Sequence, residues 1–155
     1  MADQRKPKHE RRSQTTDLVD HMLVERNQLL ALLLQTSEIR AETPSETDYD
    51  LLNEFCQVLV DYTAAGHFGL YERIVKKQER RKEVADLAMQ FLHRIDETTE
   101  IALSFNEQYD PEKKATDLSR LHEDLSRLIG ALTSRIELED QLINRLLAPK
   151  DPVQA

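Results

Sequence analysis

Cysteine, glycine and tryptophan are scarce or missing: the 155 residues contain one Cys, three Gly and no Trp. One cysteine can neither close an internal disulfide nor build a thiolate metal cage, which favours a reduced, cytoplasmic protein. The scarcity of glycine argues against a β-sandwich or barrel with many tight turns. No apolar run approaches the length of a membrane-spanning helix, and we expect neither a membrane anchor nor a secretory signal.

Catalytic motifs are missing as well. The sequence has no glycine-rich phosphate loop, no Gly-x-Ser-x-Gly and no His-Glu-x-x-His, which are patterns that place reactive groups together. Cys56 follows Phe55 on an apolar stripe, so it is predicted to be a buried core residue rather than a reactive thiol. We therefore expect neither enzymatic activity nor a cofactor.

The formal net charge of −8 is distributed unevenly along the chain. Residues 1–12 have a net charge of +3, whereas residues 41–62 contain six acidic residues and no Lys or Arg. An acidic surface repels nucleic acid and attracts a basic protein. The alternative is an acidic face that only keeps the protein soluble.

Apolar residues recur at helical spacing in four stretches, which predicts four long helices. The first should begin at Thr15 or Thr16 and end near Ile39, and its apolar run 29–34 should lie deep in the core or under a partner. The second follows Thr43-Pro44-Ser45-Glu46, which is typical of a capping box. The third covers roughly residues 84–105. The fourth follows a loop at 106–115 and starts from Thr116 or Asp117.

These stretches define the predicted domain organisation. Residues 1–14 form a basic arm with little to bury and are predicted to be disordered, as is the tail 149–155. Residues 15–148 form the partner-binding domain. Its fold class is predicted to be all-α, an up-and-down bundle of four main long helices with short connections.

A metal-binding bundle is the alternative that the histidines leave open. His21 with Glu25 and His93 with Glu97 are each four residues apart, and the segment 67–72 is similar to a hemerythrin-type sequence except that its acid follows the histidine by five residues. Ordinary His–Glu pairs on a helix surface explain the same spacing. We predict no metal site.

One segment is more specific than helical periodicity. Residues 55–74 read Phe-Cys-Gln-Val-Leu-Val-Asp-Tyr-Thr-Ala-Ala-Gly-His-Phe-Gly-Leu-Tyr-Glu-Arg-Ile. This segment resembles the signature of the Rsd/AlgQ family, regulators of the primary sigma factor of bacterial RNA polymerase. The first and last helices agree with the family at Leu18-Val19-Asp20, Leu23 and Arg26, and at Arg135, Leu138-Glu139-Asp140 and Leu142-Ile143.

The resemblance implies an anti-sigma factor that binds the C-terminal helix-turn-helix region of the primary sigma factor. It would keep that factor from RNA polymerase core and promoter DNA and so favour alternative sigma factors in stationary phase. Direct contact with nucleic acid or membrane is not implied. A second alternative is an adaptor that docks several proteins through the same acidic face. The candidate sigma-binding residues are Asp20, Leu23, Arg26, Asp61, Ala64, Ala65, His67, Phe68, Tyr71 and Glu72.

Overall fold

The computed structural model describes residues 8–66, 71, 82–110 and 117–147, and within these ranges the chain forms four long helices and no β-strand. The helices are α1 (Lys8–Ser37), α2 (Glu46–Ala65), α3 (Lys82–Gln108) and α4 (Leu121–Leu147). None of the described helices is long and apolar enough to cross a membrane. The predicted all-α fold of four main helices is confirmed.

The helices pack as a closed ring. α1 packs against α2 and α4, and α3 packs against the same two helices. α1 and α4 are antiparallel: the end of α1 meets the start of α4, where a His122 ring nitrogen lies 2.7 Å from the Ile39 carbonyl oxygen, and Arg26 near the middle of α1 meets Asp140 toward the end of α4. This is the arrangement of an up-and-down bundle. α1 and α2 are neighbours in it, and each helix has one face that points away from the core.

The start of α2 differs from the predicted capping box by two residues. Ser45 is the N-cap, in an extended conformation (φ −96°, ψ 169°), and its hydroxyl accepts a hydrogen bond from the Asp48 amide. The Asp48 carboxylate accepts in return from the Ser45 amide at 2.9 Å. The motif is therefore present, but Ser45 replaces Thr43 as the cap and Asp48 replaces Glu46 as the acid that reaches back.

The start of α1 was predicted too late. The helix begins at Lys8 rather than at Thr15 or Thr16, so residues 8–14 of the predicted disordered arm are helical. The sequence between these points contains two Arg, one Lys, one Glu and one Gln, which favour helix, and no Pro or Gly to end it. Residues 1–7 of the arm and the tail 149–155 lie outside the described residues.

The predicted loop at 106–115 begins later than expected, because α3 continues to Gln108. Tyr109 is buried directly after it, and its hydroxyl donates to the Asp124 carboxylate at 2.5 Å, which joins the end of α3 to the first turn of α4. Residues 111–116 lie outside the described residues. At the far side of the loop Asp117 accepts a hydrogen bond from the Ser119 amide, which lowers the pKa of its carboxyl group.

Cys56 lies in the core, as predicted. Burial, and then the nearby charge of Asp110, raise the pKa of its thiol to about 12. A thiol with such a pKa stays protonated at neutral pH, and the protonated form is a poor nucleophile. Cys56 is therefore a small packing residue beside Phe55.

Candidate functional site

The two predicted aspartate contacts lie on the outside of the bundle. Asp20 is exposed on α1 and Asp61 is exposed on α2. Leu23, Ala64 and Ala65 are half-buried, so each offers a partner only part of its surface. The predicted contacts His67, Phe68 and Glu72 lie outside the described residues.

Two predicted contacts lie in the interior instead, which corrects the sequence-based assignment. Arg26 is 7% exposed and Tyr71 is 2% exposed. The Arg26 guanidinium is held by side chains of α2 and α4, and the Tyr71 ring lies 6.0 Å from the Arg135 guanidinium carbon. Neither side chain presents a surface to a partner, so their contribution is to the internal structure of the bundle.

Arg26 is part of a polar network in the middle of the bundle, which we call the central network and which comprises Arg26, Tyr62, Arg135, Glu139 and Asp140. The Glu139 carboxylate, fully buried, is its hub. One oxygen accepts hydrogen bonds from the Tyr62 hydroxyl and, at 3.3 Å, from Arg26, and the other accepts from Arg135 Nε at 3.1 Å. Arg26 also donates to Asp140 at 2.6 Å. Two cations thus face two carboxylates, so the network is neutral overall.

Arg135 extends these connections to α2 and α3. It is 1% exposed, and one of its terminal nitrogens donates to the hydroxyls of Thr99 at 2.6 Å and Thr98 at 3.3 Å. The other donates to the Thr63 carbonyl at 3.4 Å. Together with the contacts of Arg26, these bonds connect all four helices, as a buried charge requires if its donors are to remain satisfied.

Tyr62 links α1 to α4 as a neutral hydroxyl. It accepts a hydrogen bond from Arg26 Nε at 3.1 Å and donates one to Glu139. Burial, and then the negative charge of Glu139, raise the pKa of Tyr62 well above its usual value. The hydroxyl therefore keeps the proton that it donates. Because Asp61 precedes Tyr62 on α2, this anchoring also fixes the backbone from which the Asp61 side chain projects.

The end of α2 approaches the central network closely at Gly66, which keeps right-handed helical backbone (φ −63°, ψ −48°). A Cβ atom placed there would lie 3.0 Å from Glu139 Oε2 and 3.1 Å from Arg135 Nη2. Both atoms belong to buried, hydrogen-bonded groups with little freedom to move. Glycine at this position thus allows α2 to pack directly on the ion pair of α4.

Adding that methyl group should therefore destabilise the bundle. We expect Gly66→Ala to lower the free energy of unfolding by about 1–3 kcal/mol, the usual cost of overpacking. Gly130→Ala is the matched control, because Gly130 is an exposed helical residue of α4 whose added Cβ would have open space around it. That change should raise stability by about 0.5–1 kcal/mol. Urea unfolding measures both, and equal effects of the two variants would contradict the close approach at Gly66.

The histidine pairs behave as surface pairs. His93 Nε2 lies 2.9 Å from Glu97 Oε1, and His21 Nε2 lies 3.8 Å from Glu25 Oε1, with both histidine rings largely exposed. Within the described ranges no group of three or more His, Cys, Asp or Glu side chains is arranged to hold a metal ion.

Comparison with known proteins identifies the family. The model of the Rsd/AlgQ family, described as regulator of RNA polymerase sigma(70) subunit, matches residues 1–147. The chain belongs to the Rsd/AlgQ family. The predicted resemblance is therefore confirmed over nearly the whole chain.

Relatives within the Rsd/AlgQ family are named regulator of sigma D. The protein from Shigella dysenteriae serotype 1 (strain Sd197) is 34% identical over 131 residues, which cover 81% of each chain. One from Escherichia coli O1:K1 / APEC has the same identity and coverage. One from Yersinia pseudotuberculosis serotype O:1b is 29% identical over 133 residues, covering 83% of this chain and 79% of the relative. No solved structure shows a significant match.

Of the charged residues of the central network, sequence reasoning named only Arg26 as a site residue and missed Arg135, Glu139 and Asp140. Arg135 and Glu139 were noted only as part of the family resemblance. Their burial can nevertheless be predicted from the sequence, because they fall on the apolar face of α4, whose members are three or four residues apart. That face consists of Leu128, Leu132, Arg135, Glu139, Leu142 and Leu146. Charges at core positions indicate a buried ion pair or a site.

Proposed function

We propose that this chain binds the C-terminal, promoter-recognising region of the primary sigma factor and so keeps that factor from RNA polymerase core and from promoter DNA. The observation that carries the proposal is the family match over residues 1–147. The relatives' name, regulator of sigma D, supports it. Such a protein acts by stoichiometric binding in the cytoplasm, without catalytic turnover, and favours alternative sigma factors in stationary phase.

The charge distribution supports a basic partner. Residues 14–65, which include most of α1 and all of α2, contain ten acidic residues and two arginines, whereas the rest of the chain contains nineteen residues of each sign. The whole net charge of −8 therefore belongs to this part. One of its two arginines, Arg26, is buried against Glu139 and Asp140. A helix-turn-helix that contacts DNA phosphates is basic and complements such a surface.

Binding of this protein to the helix-turn-helix region of the sigma factor would explain how it blocks transcription. The basic side chains that hold DNA phosphates would instead meet carboxylates of α1 and α2, so that DNA and this protein compete for one surface. Opposite charge also steers the encounter, which raises the association rate at low salt.

Titration calorimetry of the full chain with the purified C-terminal domain of the sigma factor tests the proposal. We expect one-to-one binding that weakens with salt, and release of that domain from a promoter fragment when the chain is added. No heat at tens of micromolar protein would overturn it. Two irons per purified chain in elemental analysis would instead favour the metal-binding alternative.

A further inference from the structure

The outer face of α1 has the residue spacing of a helix-packing surface. The buried face follows the 3-4 spacing of a bundle helix, at Val19, Met22, Arg26, Leu29, Leu33 and Thr36. A second set with the same kind of spacing lies on the opposite side of α1 and is exposed throughout: Asp20, Val24, Asn27, Ala31 and Leu34. We call this set the outer seam. Such spacing lets two helices lie side by side with interlocking side chains.

The outer seam is apolar over much of its length. Leu34 is 71% exposed and Val24 is 56% exposed, and Leu30 adds further exposed apolar surface beside them. The bundle leaves more than half of the Val24 and Leu34 side chains uncovered, since the inner face of α1 already packs on α2 and α4. Exposed apolar side chains aligned on one helix face are typical of an interaction site.

The outer face of α2, the neighbouring helix, is acidic at the same spacing. Asp50, Glu54, Gln57 and Asp61 are exposed at intervals of four, three and four residues. α2 contains no Lys or Arg, and α1 from residue 14 onward contains only Arg26. Because Arg26 is buried in the central network, it adds no positive charge to these outer faces. An apolar row on α1 and an acidic row on the adjacent α2 complement a helix with one apolar and one basic face.

We propose that a basic amphipathic helix of the sigma factor's C-terminal region packs lengthwise on the outer seam of α1, with its basic side chains directed toward Asp50, Glu54 and Asp61. Its apolar side chains would cover Val24, Ala31 and Leu34. The inference rests on the proposed function. It extends the contact from Asp20 along α1 by 14 residues, about 21 Å of helix.

The test removes the apolar part of the seam and leaves the fold intact. In the double variant Val24→Ser/Leu34→Ser, the affinity for the sigma domain should fall at least tenfold, mainly through faster dissociation, because exposed leucine and valine become buried anchors only in the complex. The matched control is Met89→Ser/Leu103→Ser on α3, where the two side chains are 59% and 50% exposed. The control should bind within twofold of the wild type.

Two charge-neutralising double variants test the orientation of the bound sigma helix. Asp50→Asn/Glu54→Gln should slow association severalfold and reduce its salt dependence, because carboxylates near the rim act mainly on encounter. Asp96→Asn/Glu100→Gln on α3 removes the same number of exposed charges and should change the association rate much less. Equal effects of the two pairs would show that only net charge matters, and would overturn the proposed orientation.

The outcomes separate this inference from the function on which it rests. If the wild type does not bind the sigma domain, the proposed function fails. If the wild type binds and Val24→Ser/Leu34→Ser binds equally well, the function stands and the outer seam is not the contact. Sedimentation of the chain alone adds a third outcome. A wild-type dimer that the α1 variant dissociates, with sigma binding unchanged, would assign the seam to a second copy and overturn the proposal.

Discussion

Replacing Glu139 with Gln should lower the free energy of unfolding by about 3–5 kcal/mol, the usual cost of removing one partner from a buried ion pair. The change preserves the shape of the side chain but removes the charge that faces Arg135 and Arg26. Arg135, which is 1% exposed, would then remain charged without a facing carboxylate. Since small domains are stable by only about 5–15 kcal/mol, a large fraction of the total stability is at risk. Urea unfolding followed by circular dichroism measures it.

Asp140→Asn is the matched control within the same network. Asp140 also pairs with Arg26, at 2.6 Å, but its side chain is 50% exposed. Water reaches the Asp140 side of this pair, and Arg26 keeps Glu139 as a carboxylate partner, so this change should cost clearly less than Glu139→Gln. A further variant, Arg135→Met/Glu139→Leu, removes both charges of the Arg135–Glu139 ion pair and should be more stable than Glu139→Gln. A Glu139→Gln protein as stable as Asp140→Asn would contradict the role of Glu139 as the hub.

The helices could be predicted from the sequence because each one buries an apolar face, and burial imposes the 3.6-residue period on the residues themselves. Positions such as Phe55, Leu59, Leu128 and Leu132 repeat often enough to locate α2 and α4. The ends of the helices are less predictable because few residues determine them. Ser45 and Thr43 are both good caps, and only the reach of Asp48 to the Ser45 amide decides between them.

The central network could be anticipated only in part. The 3-4 spacing places Arg135 and Glu139 on the core face of α4, but it does not reveal that Tyr62 and Arg26, 77 and 113 residues away along the chain, complete their hydrogen bonds. Those contacts depend on how the helices pack. The same limit explains the error at Arg26 and Tyr71, because resemblance to a family signature matches residue types and says nothing of their exposure.

The network also bears on the proposed interface, since it holds the helix that carries Asp61. The Tyr62 hydroxyl is anchored to Glu139 and Arg26, and Gly66 packs on the ion pair of α4. The end of α2 that carries Asp61 is therefore held by contacts with α1 and α4. A rigid acidic surface loses little conformational entropy when a partner binds, which favours affinity without any added contact.

Asp61→Ala should weaken binding to the sigma domain by about 2–5 kcal/mol, felt mainly in the dissociation rate, because it leaves a partner arginine desolvated and without its carboxylate. Asp61 is the acidic residue of the α2 outer face nearest to the anchored Tyr62. Because Asp61 is exposed in the free protein, Asp61→Ala should leave the free energy of unfolding nearly unaltered. Surface-plasmon kinetics at two salt concentrations, with circular dichroism on the same samples, separates binding from folding.

Glu42→Gln/Glu46→Gln provides the comparison for Asp61→Ala. Glu42 is exposed in the turn before α2 and Glu46 is exposed at the first residue of α2, at the end of the helix opposite to Asp61. Carboxylates there should steer the encounter rather than anchor the complex. Their removal should slow association and lower its salt dependence while dissociation stays nearly constant. Should Asp61→Ala bind as the wild type does, Asp61 is a solvated carboxylate and the interface lies elsewhere. Should it unfold the bundle, its role is structural, because an exposed carboxylate that only contacts a partner contributes nothing to the stability of the free chain.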